Sequence, residues 1–279
     1  MFSGQLVASP GLEGEIDKTV YSRGTSNATA LVTRNAIRLY DTLERLLKEM
    51  PEGQLIKDVP PAVLLKTLIV HSASWGDAGD ILKSVFKEWG VYSKKIREYI
   101  ARFLGYGKVN FDRIYSCTDS RVTAIGGGFI GKDERHIYEF PLPPSLSGKA
   151  EWRKLIVTLG WFTPINPAHR KWRCAALYFE LEKQEKKYPL YTSRWEADYN
   201  AVRRGTIQHE IFFEEKRPVT IEDDSNIIIH VICREETGEL MEEVPYALAV
   251  TLEVAPKINI YDEVAIKLRQ TIRITLANQ

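Results

Sequence analysis

Near residue 120 the apolar residues change their spacing, and with it the kind of structure they can build. Before that point they recur with a helical period: Ala28, Val32, Ala36, Leu39, Tyr40, Leu43, Leu46 and Leu47 fall on one stripe of a helix. Pro51 and Gly53 then stop that helix. A second helix is predicted from Pro60-Pro61, where proline suits the first turn, and it carries Val63, Leu64, Leu68 and Ile69. Gly76, Gly79 and Gly90 break the segment 76–98, leaving one short helix over 81–89. Leu104-Gly105-Tyr106-Gly107 reads as a turn.

Beyond residue 120 the pattern is strand-like. Strands are predicted at 121–125, 136–140, 154–161, 175–181, 206–213, 227–233, 246–254 and 271–276, each short and rich in β-branched or aromatic residues. The run Asn226 to Cys233 is apolar enough for a central strand, and Pro141 to Gly148 reads as a loop. The charged segment 182–204 reads as an insertion, and its mixed-charge start, Glu182 to Lys187, as a solvated face. That many strands with few helices point to an antiparallel sandwich or jelly roll.

With 279 residues the chain has room for about two domains. Apolar residues make up 44%, ample for a core, and no apolar run approaches the roughly 20 residues of a membrane helix. Met1 to Gly14 lacks the basic start and long apolar stretch of a signal peptide. Lys plus Arg number 38 and Asp plus Glu 37, so no nucleic-acid footprint is expected. The cluster Arg170, Lys171, Trp172 and Arg173 accordingly reads as a solvated rim before it reads as a nucleic-acid or protein contact. Cys117, Cys174 and Cys233 are odd in number and far apart, unlike a disulfide framework or a zinc site. A reducing cytoplasm fits that usage. No cofactor, metal or membrane partner is expected.

The segment with most chemical content is Ser22-Arg-Gly-Thr-Ser-Asn-Ala-Thr-Ala30, a turn that opens directly into the first amphipathic helix. Ser26 there has its hydroxyl at a helix N-terminus, where backbone N–H groups and the positive dipole end favour a developing oxyanion. Taken alone, the same serine reads more simply as an N-cap. A serine hydroxyl also needs an adjacent base to become a nucleophile. Asp17 lies in a loop before the motif, and the nearest histidine, His71, reads as a core or boundary residue. His136, His169, His209 and His230 fall in the strand-rich half as surface or sandwich residues. His209 and Glu210 are adjacent on a strand, so they face opposite ways and make no metal pair.

Four segments, in order, resemble the C-terminal third of a subtilase, a subtilisin-like serine peptidase. Ala8-Ser9-Pro10-Gly11 resembles the Ala-Pro-Gly segment before the nucleophile, with one residue inserted. Gly24-Thr25-Ser26-Asn27-Ala28 resembles the G-T-S-M-A nucleophile motif, with Asn where Met is usual. Pro60 to Ala73 resembles the helix that follows, and Leu104 to Asn110 resembles the glycine-rich end of the catalytic domain. The resemblance covers about residues 5–117. It implies an α/β fold over 1–120, part of a subtilisin-like three-layer domain, followed by an all-β sandwich or jelly-roll domain over 121–279.

By that resemblance Ser26 is the nucleophile and its backbone N–H is half of the oxyanion hole, with Gly24, Thr25, Asn27 and Ala28 flanking it. The family's Asp, His and oxyanion-hole Asn all precede the serine, but only 25 residues do so here and none is His. The implied function is serine endopeptidase activity on a polypeptide substrate. The chain is expected to be the C-terminal portion of that enzyme and inactive alone, its missing groups lying in an upstream part of the catalytic domain. The overall arrangement is similar to large bacterial subtilases, some linked to anti-phage defence beside an AAA-type ATPase partner. The alternative is an inactive peptidase remnant whose β-sandwich binds a protein. An unrelated α+β enzyme using Ser26 would need a base that the sequence does not show.

Overall fold

The structure, a computed structural model of the chain, describes residues 4–11, 13–49, 56–148, 152–182, 205–214, 226–271 and 275–276. The helix stop at Pro51 and Gly53 and the charged segment beyond residue 182 lie outside the described residues. The chain forms two compact units, Met1–Arg45 and Leu46–Gln279. They divide well before residue 120, because a helix from the first half of the chain belongs with the sheets of the second.

In the first unit, β1 (Gln5–Ala8) and β2 (Thr19–Ser22) form an antiparallel hairpin that sets Leu6 opposite Tyr21 and Val7 opposite Val20. Helix α1 (Thr25–Glu49) follows and continues past the end of this unit. Of its predicted stripe, Leu39 and Leu43 are buried; Val32, Ala36 and Leu47 are half-buried, and Ala28, Tyr40 and Leu46 are exposed.

The second unit opens with α2 (Pro61–His71), α3 (Gly76–Glu88), α4 (Ser93–Leu104) and the single turn α5 (Asp112–Tyr115). Pro61 takes the first helical position of α2, as its missing N–H allows. The short helix expected over 81–89 starts earlier, at Gly76. A glycine inside a helix costs only about 1 kcal/mol, and α3 and α4 offset it by burying Trp75, Phe86, Ile96 and Ile100 together. The glycine-rich turn after α4 closes back on the end of α2. Ser74 and Lys108 exchange backbone hydrogen bonds, and the Trp75 indole N–H donates to the Gly105 carbonyl at 2.9 Å. Gly107 has no substitute there: its φ is +97°, and a Cβ would sit 2.2 Å from the Ser74 carbonyl oxygen.

The strands follow: β3 (Arg121–Ile130), β4 (Arg135–Pro141), β5 (Arg153–Trp161), β6 (Ala175–Leu181), β7 (Ile207–Glu214), β8 (Asn226–Glu235) and β9 (Val244–Val254). Of the last predicted strand, 271–276, Thr271 ends helix α6 (Tyr261–Thr271), residues 272–274 lie outside the described residues, and β10 (Thr275–Leu276) pairs with Ile137 and His136 of β4. The strands make two antiparallel sheets, in the orders β10–β4–β8–β6 and β3–β9–β5–β7. As its composition suggests, β8 is an interior strand, between β4 and β6. Alternate residues of both sheets share one core, with Leu155, Val157, Leu159 and Trp161 of β5 facing Ile227, Ile229, Val231 and Cys233 of β8. Mixed helices and antiparallel sheets, with the strands concentrated in the later part, are thus the class of this fold.

The sheet β3–β9–β5–β7 is covered on its other face by α2. That burial explains why β5 and β9 read as almost continuous apolar runs. Lys66 anchors the helix: its ammonium donates to the carbonyls of Trp161 at 3.0 Å and Thr206 at 3.1 Å and to the Thr206 hydroxyl, and lies 5.0 Å from the Phe162 ring centre. Desolvation at this site pushes the Lys66 pKa down to about 8. Gly160 lets α2 approach the sheet, since a Cβ there would lie 2.3 Å from Thr67 Oγ1. Gly160→Ala should destabilise the protein by about 1–3 kcal/mol through overpacking. Thr67→Ala in the same chain should recover part of that loss, a coupling that denaturant unfolding of the two single variants and the double variant would measure.

Candidate functional site

Ser26 is the second residue of α1. The carbonyl of Gly24 accepts the first helical hydrogen bond, from the Ala28 N–H at 3.2 Å, so Gly24 and not Ser26 stands at the cap position. The simple N-cap reading of Ser26 therefore does not hold. Among the described residues its hydroxyl has no hydrogen-bond partner, and the side chain is exposed. The N–H of Ser26 is one of the first four of the helix, which have no partner within it and point along the positive end of the dipole.

The residues around it are held from within the unit. The Asn27 side-chain amide donates to Ser22 Oγ at 3.0 Å, tying the helix start to the end of β2. The Thr29 hydroxyl donates to the Thr25 carbonyl at 2.8 Å. A Cβ on Gly24 would meet nothing within 4 Å, so the backbone beside Ser26 is open to an approaching chain within this unit. Ala28 is exposed. Asp17 is exposed in the hairpin loop, next to the Lys18–Glu15 ion pair. Among its described residues, this unit presents an unpartnered hydroxyl and oriented N–H groups, and no histidine.

His71 does not offer a general base. It is fully engaged in the second unit, on the α2 face against the sheet, with Nδ1 2.8 Å from Thr158 Oγ1 and Nε2 2.7 Å from Thr251 Oγ1. The Thr158 hydroxyl also meets Nδ1 of His209 at 2.7 Å, and Thr251 meets Thr123 at 2.7 Å. One polar chain therefore crosses all four strands: Thr123 on β3, Thr251 on β9, His71 from above, Thr158 on β5 and His209 on β7. Register puts them there. Thr123 pairs with Thr251, Thr158 pairs with His209, and His71 spans the diagonal between Thr251 and Thr158. Both imidazoles are fully buried and face other positive groups, so the pKa of His71 is held well below its usual value and that of His209 falls to about 4. Both rings are neutral at pH 7.

This network escapes a reading of the sequence for catalytic motifs. Its trace is faint: single threonines and a histidine scattered over four strands, whose shared face follows only from the register between them.

The other candidate groups are structural. His136 Nδ1 lies 2.7 Å from the Tyr246 hydroxyl, which meets that of Tyr138 at 2.6 Å between the sheets. His230 is half-buried and His169 exposed. The basic cluster is divided: Arg173 is buried in an ion pair with Glu236 at 2.7 Å, while Arg170, Lys171 and Trp172 are exposed. Cys233 is buried and its thiol pKa is pushed up to about 12, which leaves it inert. Among the described residues no group of three or more His, Cys, Asp or Glu could hold a metal ion. Among them, too, no helix is long and apolar enough to cross a membrane.

No protein-family model matches the chain, and no curated protein matches it. Two solved viral structures are similar to it at a low level. One is the acidic stable capsid of Helicobacter pylori bacteriophage KHP30, at 12% identity and a TM-score of 0.22 over 49% of this chain and 95% of that one. The other is the semi-empty particle of the Macrobrachium rosenbergii nodavirus, at 11% identity and a TM-score of 0.15 over 52% of this chain and 99% of that one. Scores of this size carry no conclusion about fold or function.

Thr158→Val removes the hydroxyl that joins the two imidazoles and leaves a buried ring nitrogen unpaired on each. It should cost about 1–3 kcal/mol, which chemical unfolding at pH 7 would read.

Proposed function

We propose that this chain carries the nucleophile of a subtilisin-like serine endopeptidase, Ser26, and that the Asp and His of the triad come from polypeptide upstream of it. One observation above all supports the reading. The Ser26 hydroxyl is exposed and unpartnered among the described residues, at the N-terminus of a 25-residue helix, just after a hairpin and a glycine turn. In that position its Oγ would attack a peptide carbonyl while its own N–H and the helix dipole stabilise the oxyanion. The upstream His would take the Ser26 proton and return it to the leaving amine. Water would then hydrolyse the acyl-enzyme.

The hairpin supports the same reading. Leu6 and Tyr21 are exposed on one of its faces and Val20 on the other, as suits a strand pair buried on both sides in a larger layer. The subtilisin-like three-layer arrangement over 1–120, the jelly-roll reading of the later strands, a polypeptide substrate, an AAA-type ATPase partner and a cytoplasmic setting all belong to this proposal. His71 and His209 are held elsewhere, so the chain by itself should have no peptidase activity beyond what substrate binding and a partial oxyanion site supply.

Labelling with a fluorophosphonate probe tests this. The chain alone should not label. Co-expressed with the coding sequence upstream of it, it should label, and Ser26→Ala should abolish that signal. Absence of labelling in both preparations would discard the peptidase reading and leave a protein-binding β-sandwich on an inactive remnant.

A further inference from the structure

Helix α2 is seated on its sheet through two histidines that must stay neutral. His71 is 6% exposed and His209 is 2% exposed, and their ring centres are 6.5 Å apart. The Thr158 hydroxyl joins them, and Thr251 and Thr123 continue the chain beyond His71; each link needs one proton, and a neutral imidazole brings one N–H and one acceptor. At the end of that chain His209 Nε2 is buried without a partner. A proton added there would have nothing to bond to, and one added to His71 would place a second charge within reach of the first.

The groups that face the pair offer no relief. Lys154 from β5 and Arg113 from α5 act on it with the wrong sign. Glu253 of β9 lies on the same sheet face by strand alternation, and its charge is taken up by Arg113 in an ion pair. Arg121 of β3 lies on the same sheet face by strand alternation. From the turn after α4, Tyr106 sets its ring 6.1 Å from that of His209, and burial raises the pKa of its phenol. Lys66, on α2 itself, is occupied at Trp161 and Thr206.

We propose that His71 and His209 form an acid-operated latch that holds α2 on the sheet when neutral and releases it when protonated. Release uncovers an apolar face made of Val63, Leu64 and Leu68 on the helix and Ile156, Ala249 and Ile211 on the sheet, all buried in the closed form and, on the strands, outside the core between the two sheets. The sign follows from linkage. The open form binds protons near the usual histidine pKa of about 6.5, whereas the closed form binds them only well below it, so falling pH favours opening. The latch is independent of the role of Ser26.

Hydrogen exchange of the full chain, read by mass spectrometry on peptides spanning 61–71 and corrected for the intrinsic pH dependence of exchange, tests it. Between about pH 6 and pH 4.5 the opening constant of α2 should rise by up to about 100-fold per pH unit, tenfold for each of two protons. In His209→Asn, whose amide still reaches Thr158, the rise should fall to about tenfold per unit. Binding of an apolar dye to the wild-type chain should increase over the same interval. A pH-independent α2, an unchanged slope in His209→Asn, or acid opening that begins at β8 and leaves 61–71 protected would each overturn the latch. Should His209→Asn fail to fold, carbon-13 NMR of the histidine ring carbons in the wild-type chain decides it. Two rings that titrate near 6.5 while α2 stays protected would also reject it.

Discussion

The middle of the sheet β3–β9–β5–β7, on β5 and β9, is buried on both faces, and a polar side chain placed there has little recourse to water. One face shares a core with the second sheet, and the other carries α2. Polar groups buried between the helix and the sheet therefore depend on partners inside the protein, and His209 Nε2 is an exception that has none. Thr123, Thr251, His71, Thr158 and His209 answer that demand with one continuous hydrogen-bonded chain, and Lys66, in the middle of the helix, answers it at Trp161 and Thr206. The same constraint makes the arrangement sensitive to charge. A row of hydroxyls and neutral rings is bonded along its length up to His209 Nε2, and the addition of a proton would turn part of it into a buried cation.

The smaller unit has the opposite character. Its hairpin and the start of α1 are mostly exposed, and its chemistry lies at a helix terminus and not in a closed interior. Because Gly24 accepts the first helical hydrogen bond, Ser26 is relieved of capping duty and keeps its hydroxyl free. Asn27 fixes the helix start to β2 through Ser22, so the hydroxyl is carried on a braced turn. A catalytic serine needs those conditions, freedom and support. It also needs a base; His71, His136 and His209 are held in hydrogen bonds of the second unit, His230 lies on β8 and His169 is exposed in the loop after β5.

The strands were legible because their alternation and composition are local properties, and seven of the predicted runs coincide with observed strands to within a few residues. Of the run 271–276, the described pair Thr275–Leu276 is a strand, and the helix before it, α6, starts on Asp262 and Glu263 in its first turn, where acidic side chains favour a helix start. Helix α3 extends back through Gly79 to Gly76 because the buried cluster around Phe86 outweighs the low helix propensity of the two glycines.

By itself, the sequence determined the change from helices to strands near residue 120, the interior place of β8, the proline start of α2 and the location of Ser26 at the head of a long helix. Each is written in a few neighbouring residues. Only the tertiary structure decided that α2 lies across the later sheet, that His71 meets threonines 87 and 180 residues away, and that Ser26 stands inside its helix instead of capping it. Pairing between distant strands sets those relations, and no local spacing encodes which face of which strand a helix will come to rest on.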